Sequence, residues 1–267
     1  MLASSLSAIP STWQDTFSGL IHESILPFAL HDLGVSLLSF IAASLWLFIW
    51  QQFSRSKILA SSITRKIVHV TCAPLFMVLW PLYSSETQDP YVRVIAALVP
   101  IIVSIRLIMT AYEMIPQDNL ARAMSRTGNP KEGLRGPLYY VLILASSILV
   151  FWTSSPAAFI TLCQMCFGDG MAEVFGRKWG KYTSSWEFNK SKSYAGTIGF
   201  VICGFLSSIV YLTYFNSVHI TDVNMQSAWG SLLAISILCS LVETIPFGDD
   251  NITVPIAAAI SSYLLFH

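Results

Sequence analysis

Eight apolar runs, each long enough or nearly so to cross a bilayer, follow one another along 267 residues with only short polar stretches between them. They fall at 33–53, 67–83, 91–112, 137–152, 157–175, 194–215, 228–245 and 252–266. A spanning helix takes about 20 apolar residues, and in lipid every backbone polar group must be satisfied internally, so runs of this kind resolve into helices. The expected fold is all-α: a polytopic integral membrane protein of about eight transmembrane helices, the fourth and eighth being short. Composition agrees, since 54% of the residues are hydrophobic and 11% charged, whereas soluble domains carry about 25% charged residues. Fifteen cations balance fifteen acids, so no basic surplus points to nucleic acid. Residues 1–32 stand apart as an amphipathic amino-terminal segment, broken by Pro10 and Pro27 and bearing Asp15, His22 and Glu23. The remaining 33–267 form a single transmembrane domain. That first segment holds no Lys or Arg, unlike a Sec-type signal or an Arg-rich transit peptide. The five cysteines are odd in number and lie in apolar runs, as small buried hydrophobes do.

The charges test the helix count independently. With eight spans, loops one, three, five and seven share one side. Loop one carries Arg55, Lys57, Arg65 and Lys66; loop three carries Arg122, Arg126, Lys131 and Arg135; loop five carries Arg177, Lys178, Lys181, Lys190 and Lys192. Thirteen of fifteen cations thus fall on one side, and the other side holds Arg93 at its margin and otherwise the acids Asp15, Glu23, Asp32, Glu86, Asp89 and Asp222. By the positive-inside rule the basic side faces the cytoplasm, or the stroma in a plastid. Basic loops also suit anionic membrane lipid.

Acids among these cations carry the chemistry. The fifth run ends in Gly168-Asp169-Gly170, with Glu173 one helical turn on. A carboxylate within a span is expensive and marks a functional site by default, although ion bridges to Arg177 or Arg106 would also account for the pair. Glycines on both sides of Asp169 permit close approach of another group. Gly176 and Gly180, four apart, suit either a nucleotide or a helix-packing face. Asn189-Lys190-Ser191-Lys192-Ser193 then leads through Tyr194-Ala195-Gly196-Thr197 into an apolar helix. Two ammoniums and two hydroxyls before a helix start suit a polyphosphate, and no Walker A run occurs. Glu243 closes the seventh span, and Asp249-Asp250 follow on the basic side, where adjacent carboxylates beside phosphate ligands suit Mg²⁺ or, more simply, cap the last helix. Arg65 and His69 lie on one face at the start of the second span. Together these signals describe a membrane-embedded site for a polyphosphate and a metal, open to the basic side, whose other substrate arrives laterally from lipid. Phosphoryl transfer to a long-chain apolar alcohol is the reaction class that fits.

The motifs resemble the phytol kinase and farnesol kinase group of the polyprenol kinase family, related to dolichol kinase. The resemblance runs from Arg65-Lys66-Ile67-Val68-His69 through Gly133-Leu134-Arg135-Gly136-Pro137-Leu138-Tyr139-Tyr140, Gly168-Asp169-Gly170 and Lys192-Ser193-Tyr194-Ala195-Gly196-Thr197 to Asp249-Asp250-Asn251-Ile252-Thr253-Val254-Pro255, over residues 60–267. It implies a CTP-dependent kinase, with UTP as a second candidate donor, that makes a prenyl monophosphate from a free prenol in a plastid or cyanobacterial membrane. Phytol is the first-choice substrate, with geranylgeraniol and farnesol behind it, in salvage towards tocopherol. The dolichol enzymes carry Lys-Thr-x-Glu-Gly-Thr at the turn that here holds Ser193 in place of Thr and Ala195 in place of the acid; the phytol kinases' Lys-Ser-Trp-Ala-Gly-Ser is the nearer match. The resemblance places the nucleotide at Gly176, Gly180, Lys192, Ser193, Ala195, Gly196 and Thr197, and the cations around them extend the expected site to Arg65, Lys66, Arg135, Arg177, Lys181 and Lys190. The expected metal ligands are Asp169, Glu173, Asp249 and Asp250, and the expected catalytic groups Asp169, His69 and Lys192. Two rivals stay open: a cytidylyltransferase using the same CTP, and an ion-coupled transporter with Asp169, Glu173 and Glu243 along its path.

Overall fold

The computed structural model describes residues 25–84, 90–116 and 129–266. Residues 1–24, together with Glu86, Asp89, Arg122 and Arg126 among the charges weighed above, lie outside the described residues. Nine α-helices are found among them: α1 (Ile25–Arg55), α2 (Ser61–Val78), α3 (Pro90–Ala111), α4 (Gly136–Val150), α5 (Ala157–Cys163), α6 (Gly170–Trp179), α7 (Tyr194–Ser217), α8 (Met225–Thr244) and α9 (Asp250–Phe266). A π-helical turn, Gln164–Asp169, joins α5 to α6. Six stretches are long and apolar enough to cross a membrane; they comprise α1, α2, α3, α4 with its preceding turn, α7 and α8, with α9 a shorter apolar helix. The chain is thus all-α and polytopic, as the run of apolar segments predicts. Helix α1 begins at Ile25 and its apolar span at Phe28, so 28–32 belong to the first span.

The fifth run differs in kind from the others. Ala157, Ala158, Phe159, Ile160, Leu162 and Cys163 in α5, then Met165 and Cys166 in the π-turn, are all sealed from the surface. This short helix is the axis of the bundle. The outer helices instead expose large apolar side chains, as with Leu37, Val210 and Leu264; so much apolar surface on one molecule marks a face meant for lipid.

Close packing of α7 against the π-turn and α6 depends on its small residues. A Cβ on Gly199 would fall 2.4 Å from the Phe175 ring, one on Gly204 would fall 2.5 Å from Gln164 Oε1, and one on Gly196 would meet the Ala172 carbonyl oxygen at 3.0 Å. Lipid tails are as apolar as leucine, so helix association in a membrane rests on such fit and on hydrogen bonds. Gln164 supplies the bonds: its Nε2 donates to the Ser208 and Ser236 hydroxyls, each at 3.0 Å, and so ties the π-turn to α7 and α8. At the end of the bundle away from the basic loops, the buried Asp32 carboxylate accepts from the Ser84 N–H and hydroxyl at 2.8 and 2.6 Å. It fastens α1 to the end of the α2 segment.

Candidate functional site

The interrupted fifth segment delivers Asp169 to the basic end of the bundle. Its two flanking glycines serve two different contacts. A Cβ on Gly168 would lie 2.6 Å from Phe200 Cε1, and one on Gly170 would lie 2.6 Å from Val70 Cγ2 and 3.3 Å from His69 Cδ2. Without side chains there, α7 closes on one side of Asp169 and α2 on the other. His69 Nε2 consequently stands 3.8 Å from Asp169 Oδ2.

Around this pair opens a cavity of about 920 Å³. Its wall takes Arg65, Lys66 and His69 from the start of α2, Arg135 and Gly136 from the start of α4, and Gly176, Arg177 and Gly180 from the end of α6. It also takes Lys192, Ser193 and Gly196 from the start of α7, Glu243 from the end of α8, and Asp249 and Asp250 from the start of α9. Residues flanking loops one, three, five and seven therefore meet at one end of the molecule, as an even-handed count of spans requires.

Charge in the cavity is arranged in two groups. Lys192 Nζ donates to Glu243 Oε1 and, at 2.7 Å, to Asp250 Oδ2. Asp169, Glu243 and Asp250 each present a carboxylate oxygen within 4.8 Å of the other two. Burial alone would make the Lys192 ammonium easier to deprotonate, but the Glu243 and Asp250 carboxylates outweigh it and hold its pKa above the ordinary lysine value. In the second group Glu173 pairs with Lys66 and, at 2.5 Å, with Arg177 one turn on.

Of the residues expected at a metal, Asp169 and Asp250 come together and Glu243 joins them. Glu173 is held in its own ion pairs. Asp249 caps the last helix, its Oδ1 accepting from the Asn251 N–H at 3.0 Å and side-chain amide at 2.9 Å. A carboxylate closing a span on the basic side was the sequence signal for Glu243; its pairing with Lys192, 51 positions earlier, is set by the fold alone.

The expected nucleotide residues also divide. Arg65, Lys66, Arg135, Gly176, Arg177, Gly180, Lys192, Ser193 and Gly196 line the cavity, whereas Lys181, Lys190 and Thr197 do not. Lys181 lies over the Tyr182 ring, Lys190 is exposed, and Thr197 Oγ1 accepts from Trp186 Nε1 at 2.9 Å. Gly176 and Gly180 pack against the Ser193 hydroxyl, which a Cβ would meet at 3.3 and 3.0 Å, so they form a helix-packing face and a cavity wall together. The start of α7 is already satisfied. Tyr194, Ala195 and Gly196 donate their N–H groups to Ser184 O, Thr183 Oγ1 and Ser193 Oγ. An anion there would meet the positive end of the helix and the cationic side chains, since those backbone donors are engaged.

No family model and no solved structure matches the chain. Curated relatives do. It is 38% identical to the protein named "Probable phytol kinase, chloroplastic" of Zea mays over 243 residues, 90% of this chain and 78% of that protein. Identity to phytol kinase 1, chloroplastic, of Arabidopsis thaliana is 34% over 240 residues, 89% of this chain and 77% of that one. Farnesol kinase, chloroplastic, from the same plant is 38% identical over 221 residues, 81% of this chain and 70% of that protein.

Proposed function

The chain belongs to the phytol and farnesol kinase family, and on that premise we propose that it transfers the γ-phosphoryl group of CTP to the hydroxyl of a prenol drawn from the bilayer. Phytol is the first-choice acceptor, with geranylgeraniol and farnesol next, and UTP the second candidate donor. The observation that carries this reading is the cavity itself: cations from four elements and the carboxylates of Asp169, Glu243 and Asp250 gathered at one end of an apolar bundle. A volume of this order suits a small ligand. The relatives' chloroplastic names favour a plastid membrane, with the basic loops and the cavity towards the stroma.

In the reaction, the prenol oxygen bonds to the γ-phosphorus while the bond from that phosphorus to the β–γ bridging oxygen breaks. CDP leaves, and the hydroxyl proton passes to Asp169 or His69. Lys66, Arg135 and Lys192 neutralise the phosphates and hold the reacting atoms in line, which is most of what such a loose transition state needs. Asp169, Glu243 and Asp250 offer only oxygen donors, around an ammonium that balances part of their charge; this set fits a hard divalent cation and would hold Mg²⁺. Bound there, Mg²⁺ would supply charge neutralisation at the phosphate oxygens. Product analysis tests the reading: protein in detergent and lipid, given Mg²⁺, CTP and phytol, releases CDP. Release of pyrophosphate instead would make the protein a cytidylyltransferase, and neither product from folded protein would leave transport as the reading to pursue.

A further inference from the structure

Tyr140 lies outside the groups assigned above to nucleotide, metal and proton transfer, yet its hydroxyl meets three partners. It donates to the His69 carbonyl oxygen at 2.9 Å, accepts from the Ala73 N–H at 3.1 Å and lies 3.2 Å from Cys166 Sγ. A phenol has one proton to give, and the carbonyl takes it, so the thiol is the donor in the third contact.

The first two partners are telling. His69 C=O and Ala73 N–H stand four residues apart in α2, and an uninterrupted α-helix joins that pair directly. Here the tyrosine oxygen bonds to both of them as well. The next residue is Pro74, which has no N–H for the Val70 carbonyl. One rung of the hydrogen-bond ladder is therefore missing at Pro74, one turn after His69, and beside it a side chain from α4 bonds to both the His69 carbonyl and the Ala73 N–H. The third partner, Cys166, belongs to the π-turn and precedes Asp169 by three residues. One oxygen atom thus links the helix that carries His69 to the turn that carries Asp169. The ring completes the arrangement: its centroid lies 4.9 Å from that of the imidazole, tilted by 47°.

We propose that Tyr140 is a positioning residue, which sets the His69 ring against Asp169 by bridging the interrupted ladder of α2 to the π-turn. Its hydroxyl is fully occupied by these three bonds and has no proton left for substrate. The proposal rests on the kinase reading for its effect on turnover, and on the geometry alone for its effect on His69.

Tyr140→Phe removes one atom and keeps the ring. In the full-length protein, assayed with CTP and phytol, kcat is expected to fall about tenfold or more while KM for CTP stays within about twofold. A residue that acts through His69 adds nothing once His69 is gone, so Tyr140→Phe in a His69→Ala background costs no further activity. Diethylpyrocarbonate labelling of His69, read by peptide mass spectrometry, rises about threefold or more in Tyr140→Phe, and this readout needs no turnover. Cys166→Ala removes one of the three arms and is expected to lower kcat about two- to fivefold; it carries the test if Tyr140→Phe does not fold. Unchanged kcat, a loss that multiplies with that of His69→Ala, or unchanged His69 labelling would each overturn the proposal. Absence of prenol phosphorylation by the wild type would sink the kinase reading instead, and the labelling result would still decide whether Tyr140 positions His69.

Discussion

Replacing Lys192 by Met would leave Glu243, almost wholly buried, and Asp250 facing Asp169 with no ammonium among them. Removing one partner of a buried pair costs about 3–5 kcal/mol, because a charge is left uncompensated. The side chains of Lys192 and Asp250 keep 23% and 31% of their exposure, so water recovers part of that, and a loss of about 2–3 kcal/mol is expected. Neutralising the stranded acid returns some of it. Lys192→Met with Glu243→Gln should be more stable than Lys192→Met alone by about 1–2 kcal/mol, as expected for directly coupled neighbours. The assay is an unfolding titration from mixed micelles with the wild type, both single variants and the double variant. If Lys192→Met proves no less stable than the double variant, the ammonium does not balance these carboxylates, and the electrostatic account of the cavity fails.

Asp169→Asn should abolish phosphoryl transfer and leave the unfolding midpoint near wild type; retained turnover removes Asp169 from the chemistry. Gly168→Ala drives a Cβ into the buried Phe200 ring and should destabilise by about 1–3 kcal/mol, with Phe200→Leu restoring much of the loss; an unaffected single variant would show that this contact does not set the approach of α7. The Lys192 pKa is held above its ordinary value near 10.5, so its contribution to stability is complete below that value and is lost as pH rises through the folded-state pKa. The wild type's stability advantage over Lys192→Met should stay constant from about pH 7 to 9 and shrink only above the ordinary lysine range; an advantage that shrinks below pH 9 contradicts the ion-pair geometry. Chelation with EDTA should stop turnover and added Mg²⁺ restore it, whereas activity insensitive to chelator would remove the divalent ion from the proposed site.

Sequence periodicity exposes the apolar segments of this fold but not their depth in it. Phe159 in α5 is 1% exposed and Val210 in α7 is 63% exposed, yet both sit in equally apolar runs, because lipid and protein interior are alike in polarity. The central place of the fifth segment was therefore invisible, as was its π-turn. Glycines around Asp169 did signal close approach, and the groups that approach, Val70, His69 and Phe200, come from helices far off in the chain. Lys181 and Lys190 looked like phosphate ligands from their place in a basic loop; in the fold of that loop their side chains fall outside the cavity while Lys192 turns into it. The backbone donors before α7 looked free for an anion, but Ser184, Thr183 and Ser193 take them. Tyr140 stands in one of the family-like motifs, but nothing there points to its partners, which lie 67 and 71 positions before it and 26 after.

Transfer of the terminal phosphoryl group of CTP to a prenol is tested most directly by following the label. Folded protein in detergent and lipid, with Mg²⁺ and phytol, geranylgeraniol, farnesol or dolichol in parallel, should be given CTP labelled at either the γ or the α phosphate, and the organic phase counted. Label from γ in prenyl phosphate, with none from α, is the predicted result. Label from α in the lipid product would contradict it and establish a cytidylyltransferase in its place.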